Sequence, residues 1–133
     1  MYNNPWLFEG SPLLAVTKGM YGFVYLITDT VTGKKYIGRK YFWTMRAQKT
    51  GRKKRAESDW KKYYSSNDWI NQQLKQGRDP NTFTREILHL CESKGKANFL
   101  EIDEQFKRDV LKRDDYLNDQ INGKWFKKNV IKY

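Results

Sequence analysis

The sequence predicts an α+β fold, a small three-stranded antiparallel sheet flanked by helices. Two short β-prone runs stand either side of a Gly-containing turn, and a third alternating run lies later in the chain. Two segments with helical spacing of apolar residues follow the second and third runs.

The first run, Gly22 to Asp29, reads Gly-Phe-Val-Tyr-Leu-Ile-Thr-Asp and is rich in β-branched and aromatic residues. Thr30 to Gly33 supplies a turn, and Lys34 to Gly38 forms the returning run, so the pair predicts an antiparallel hairpin. Residues 39–57 mix cations with Tyr41, Phe42 and Trp43 and predict a helical turn leading into a mobile loop. The part from about 47 to 57 has no apolar period and is expected to be an exposed basic loop. Ser66 or Asn67 can cap a helix running to about Gln76 with Trp69, Ile70 and Leu74 on one face, and Gly77 ends it. Thr82 to Cys91 alternates as a third strand. A second helix is expected from about Lys96 to Arg113, its apolar face carrying Phe99, Ile102, Phe106 and Val110. The remaining tail keeps Trp125, Phe126 and Ile131, so it is expected to pack on the body as a C-terminal extension of about 119–133. With no internal repeat and no linker, residues 1–133 are expected to form a single domain.

Charge narrows the function classes. The net charge is +11, and nearly all of it lies between Lys34 and Lys62, where twelve Lys or Arg face only Glu57 and Asp59. Cations concentrated in this way form a footprint for a polyanion, with nucleic acid the first candidate and an acidic protein partner the weaker one. Arg39, Arg52, Lys53, Lys54, Arg55, Lys61, Lys62 and Tyr64 are the expected nucleic-acid contacts. No apolar run approaches the roughly 20 residues of a membrane-spanning helix. Cys91 is the lone cysteine and suits a reducing compartment, so a cytoplasmic protein without a membrane partner is expected.

Several catalytic sets are missing. His89, the only histidine, sits within the third run and is expected to be structural. One cysteine cannot build a zinc site, and no phosphate-binding Gly-x-x-x-x-Gly-Lys loop is present. What remains is the hairpin, with Tyr25 on its first strand and Tyr36 on its second, followed by a dense run of cations.

Here the residues resemble a known pattern. Gly22-Phe23-Val24-Tyr25 and Tyr36-Ile37-Gly38 are similar to the two halves of the GIY-YIG endonuclease signature, although the first half reads Phe-Val-Tyr in place of Gly-Ile-Tyr. Arg46 follows Tyr36 by ten residues, where that family carries a catalytic arginine on the following helix. Ala97-x-x-x-Glu101 resembles the motif that supplies the family's metal-binding glutamate, with Asn98 in place of leucine and Glu104 as the alternative ligand. Tyr116-Leu117-Asn118 resembles a late motif whose asparagine supports the site, and Tyr64 stands where a histidine is common. The resemblance spans about residues 22 to 118 and extends to the small stand-alone phage proteins called SegE-like.

The resemblance implies a metal-dependent DNA endonuclease that hydrolyses phosphodiester bonds and acts in the cytoplasm of a host cell if phage-encoded. A catalytically inactive nucleic-acid-binding module of the same fold is the alternative. Tyr25, Tyr36, Arg46, Glu101, Lys40 and Asn118 are the implied catalytic set. One Mg2+ or Mn2+ ion per site is expected, since a hard cation held by one carboxylate keeps most of its waters. Acidic residues are almost absent from 30–56, which excludes a multi-carboxylate, two-metal cluster there. One tyrosine is the general base, and nearby cations are expected to favour its phenolate; which of the two it is stays open. DNA is the expected partner, and dimerisation stays open.

Overall fold

The computed structural model describes residues 1–130. It has β1 (Leu7–Phe8), β2 (Ser11–Pro12), β3 (Gly22–Asp29), β4 (Lys35–Tyr41), β5 (Trp43–Ala47), β6 (Lys53–Glu57), α1 (Asp68–Lys75), β7 (Phe83–Cys91), α2 (Lys94–Lys107), β8 (Gln120–Ile121), β9 (Trp125–Phe126) and α3 (Lys127–Val130). The main sheet has five strands in the order β2-β1-β7-β3-β4, not the expected three. It is mixed, because β1 pairs parallel to β7 while the other pairs are antiparallel. The two N-terminal strands are only two residues long, too short to show an alternating period, which is why the sequence does not announce them.

β3 lies between β7 and β4 and is buried along almost its whole length. Its alternating side chains feed two cores, as a strand covered on both faces must. Phe23, Tyr25 and Ile27 join Trp6, Phe42, Trp60, Ile70 and Phe83 on the face covered by α1 and the segment before it. Val24 and Leu26 join Ile37, Ala97, Val110, Leu111, Tyr116 and Ile121 on the face covered by α2 and the C-terminal segment.

α1 matches expectation, with the Asn67 side chain accepting from the Ile70 amide as its N-cap. α2 departs from it. The helix ends at Lys107, and Asp109 takes φ 52, so Val110 and Leu111 enter the core from a turn. Phe99 and Phe106 of the expected apolar face are 66% and 47% exposed, while Ala97 and Gln105 are buried. A small residue at Ala97 lets the helix approach the sheet, and the Gln105 amide donates to the Ile37 carbonyl at 3.3 Å. That polar contact has no hydrophobic signal to read in the sequence.

The region expected to be a helical turn and mobile loop is a second correction. Residues 43–57 form a two-stranded antiparallel ribbon, β5 with β6, paired from Trp43↔Glu57 to Ala47↔Lys53 and separate from the main sheet. Both faces of the ribbon are largely solvated, so no apolar alternation marks it. In the C-terminal extension, Phe106 meets Trp125 edge to face at 5.3 Å, while Ile131 lies outside the described residues. No helix among the described residues is long and apolar enough to cross a membrane.

Candidate active site

The β3–β4 register places Tyr25 opposite Gly38 and Ile27 opposite Tyr36. Facing residues share a side of the sheet, and residues two apart do too, so both tyrosines stand on the same face. Their rings lie 6.4 Å apart, and Tyr63 closes on Tyr25 edge to face at 6.0 Å. Gly38 is required by this arrangement. A Cβ there would sit 2.5 Å from Tyr25 Cζ and closer still to its hydroxyl, so only glycine leaves room for the ring.

Arg39 is the next residue and points to the opposite face, toward α2. Its guanidinium forms an ion pair and hydrogen bond with Glu101 and also donates to the Tyr41 hydroxyl at 3.2 Å. Glu101 reaches this point because Ala97, Glu101 and Gln105 recur every four residues along the side of α2 that meets the sheet. A cleft of about 400 Å3 wraps the edge at β4 and brings the two faces together. Tyr25, Tyr36, Gly38, Arg39, Lys40, Ser66 and Glu101 line it, with Trp43 and Thr44 from the base of the ribbon. A second hollow shares Tyr36, Arg39, Ser66 and Glu101 with it and continues past Asn118 to Asp119.

The electrostatics follow from burial. Tyr25 is 1% exposed, and burial holds its phenol well above the usual range, with Tyr63, Tyr36 and Glu101 adding to the effect. Tyr36 is also raised by burial, partly offset by its 3.3 Å hydrogen bond with the Ser66 hydroxyl. In the free protein burial thus acts against the phenolate form that neighbouring cations were expected to favour. Burial raises the Glu101 carboxyl, and Arg39 lowers it in part. Lys40 lies 4.1 Å from the centre of the Tyr63 ring and pairs with Asp59 at 2.7 Å.

The remaining residues singled out from the sequence are spread wider. Asn118 is buried and does not line the first cleft. Its amide accepts from the Ile37 N–H at 3.0 Å and donates to the Ile37 carbonyl at 2.9 Å, completing the edge of β4 as a strand would. Arg46 is not on a helix; it sits exposed on β5 and does not line the cleft. Glu104 is held elsewhere, between His89 Nε2 and Arg108 Nε, each at 2.9 Å. Tyr64 faces the first core, accepting from Asn4 Nδ2 at 3.0 Å and lying over the Arg85 guanidinium. Arg52, Lys53, Lys54 and Arg55 are exposed on or beside β6, Lys62 is exposed, and Lys61 lies 5.6 Å from the ring centres of Tyr2 and Trp60. Tyr63 and Ser66 join the tyrosine pair without having been assigned to it from sequence, and Arg39 was assigned there only to nucleic-acid contact. Its place directly after Tyr36-Ile37-Gly38 was the available signal.

A metal fits the donor set in a limited sense. Glu101 offers one carboxylate with its side chain 13% exposed, at a cleft wide enough for a hydrated ion. No group of three or more His, Cys, Asp or Glu able to hold a metal occurs among the described residues.

A family model described as the GIY-YIG domain of a putative endonuclease, SegE, matches residues 6–121. No curated protein and no solved structure matches the chain.

Proposed function

The chain belongs to the SegE-type GIY-YIG family, a nuclease family, and on that premise we propose that it is a metal-dependent DNA endonuclease hydrolysing phosphodiester bonds. One observation carries this reading: two tyrosines, a guanidinium and a carboxylate from three elements line one cleft beside a concentrated basic surface.

Phosphodiester hydrolysis needs an activated water, stabilisation of charge on phosphorus and help for the departing oxygen. Glu101 is the residue to hold a single Mg2+ or Mn2+, with Glu104 disfavoured because His89 and Arg108 already engage it. A divalent ion bound there supplies Lewis-acid stabilisation of the leaving oxygen. Arg39 takes the phosphate-clamping role in place of Arg46, since its planar fork already stands in the cleft. When substrate enters, the guanidinium exchanges Glu101 for a non-bridging phosphate oxygen, which frees the carboxylate. Tyr36, less buried than Tyr25 and hydrogen-bonded at the cleft to Ser66, takes the proton of the attacking water when in its phenolate form and so returns to the neutral phenol. Tyr25 holds the neighbouring phenol in place and stays protonated, and Lys40 adds positive charge at the rim. Asn118 keeps the β4 edge rigid under these groups.

Supercoiled plasmid nicked in Mg2+ provides the test. Glu101→Gln and Arg39→Ala are each expected to slow cleavage by about 100-fold or more. Cleavage at the parental rate by both variants would overturn the site. A nucleic-acid-binding module without turnover is the second reading, favoured by the Arg39–Glu101 ion pair, which neutralises the carboxylate in the free protein. It requires DNA binding with no nicking by the parent protein in either Mg2+ or Mn2+.

A further inference from the structure

The β5–β6 ribbon is the most cationic element of the molecule and takes no part in the chemistry above. Residues 43–57 carry six Lys or Arg and a single carboxylate, Glu57. Among the described residues, Arg46, Lys49, Arg52, Lys53 and Lys54 form no ion pair, whereas Lys35, Arg39, Lys40, Arg78, Lys96, Lys107, Arg108 and Arg113 each have a carboxylate. The register sets Arg46 directly opposite Lys54. Like charges facing each other across a strand pair are destabilising, so this ribbon carries a repulsion that a bound polyanion would relieve.

Its shape is specific too. Five residues per strand give a length of about 17 Å, and two strands about 5 Å apart, with side chains, match a major groove roughly 12 Å wide. Thr44, Arg46, Lys54 and Ala56 share one face, two short residues flanking two long donors. On the other face Arg55 stacks on the Trp43 ring at 3.9 Å, which leaves it committed to the ribbon itself. The ribbon is aimed, not loose. Phe42 and Trp60, just beyond its two ends, are fully buried and meet edge to face at 5.0 Å and 87°. Trp43 and Thr44 at its base line the catalytic cleft.

We propose that the β5–β6 ribbon enters the major groove of duplex DNA, with Arg46 and Lys54 toward the base edges, and so sets the cleft on a phosphate of double-stranded substrate. This rests on the nuclease reading only for the identity of the polyanion. Binding is therefore measured on the full chain in EDTA, where cleavage plays no part. Fluorescent 20-mer duplex and single strand of the same sequence are titrated with parent protein and with the double variant Arg46→Ala, Lys54→Ala. The parent is expected to prefer duplex by roughly tenfold or more, and the double variant to lose roughly tenfold in duplex affinity with single-strand affinity changed less than threefold. Preference for the single strand, or unchanged duplex affinity in the variant, overturns the proposal. Should the variant unfold, dimethyl sulfate footprinting of the parent complex decides: protection of guanine N7 in the major groove is expected, and its absence on bound duplex overturns the proposal. If these outcomes hold while Mg2+ produces no nicking, the ribbon stands and the nuclease reading falls.

Discussion

At the scale of single residues, the chemistry depends on how tightly a phenol can be placed. Gly38 faces Tyr25 so closely that any Cβ would collide with the ring. Gly38→Ala is therefore expected to destabilise the protein by about 2 kcal/mol and to reduce cleavage far more than stability alone explains. Thermal unfolding beside a nicking assay checks both parts; a variant that nicks at the parental rate would show that Tyr25 need not hold its position. The tyrosines also fix a pH dependence. Burial raises the Tyr36 phenol above its ordinary value near 10, so the phenolate fraction increases with pH across the whole neutral range. With Tyr36 as base, log kcat/KM is expected to climb with a slope of about 1 from pH 7 to 9 and to show no plateau there. A plateau below pH 8 would assign the base elsewhere. The family resemblance singled out both tyrosines and Glu101, and all three line the cleft. It did not show that Arg39 lines the cleft and Arg46 does not, because two arginines seven residues apart differ only in which way a strand turns them.

At the scale of elements, the edge of β4 decides whether the site has a floor. Its outward N–H and C=O at Ile37 are met by Asn118, a side chain acting as a missing strand. Asn118→Ala leaves the buried Ile37 N–H without a partner and the Ile37 carbonyl with only the 3.3 Å bond from Gln105, and is expected to cost about 1–3 kcal/mol, measured by urea unfolding. A loss below about 0.5 kcal/mol would mean that water replaces the amide without penalty. Elements with strong local signals were legible: β3, β4, β7 and α1 lie within two or three residues of where alternation and capping put them. Those that failed share a cause. α2 buries Ala97 and Gln105, half-buries Glu101 and leaves Phe99 and Phe106 largely outside, so its apolar period points away from its true contact face. The ribbon has no buried face at all, and β1 and β2 exist only because β7 offers an edge to pair with.

At the scale of the whole molecule, the N-terminus is a structural tie. Arg85 is 1% exposed, and its guanidinium donates to the carbonyls of Asn3, Asn4 and Tyr63. No carboxylate is among these partners, so a buried positive charge relies on backbone dipoles that lie mostly in the first four residues. Removing residues 1–5 strands that charge and is expected to cost about 3–5 kcal/mol, read as a lowered urea midpoint. An unchanged midpoint would show that the guanidinium finds water instead. The tie also draws Tyr63, a neighbour of Tyr25, into the same knot.

The central strand separates two hydrophobic layers, and the groups proposed for catalysis hang from different ones: the phenols from the first, the carboxylate from the helix that covers the second. The sheet, the seat of α2 upon it and the Arg39–Glu101 ion pair set the gap between them. Catalysis then becomes a caliper for that sheet. On gentle warming or in dilute denaturant, nicking should fade before tryptophan fluorescence registers any melting, because a slip of an ångström between layers would disarm the proposed site while leaving both interiors dry.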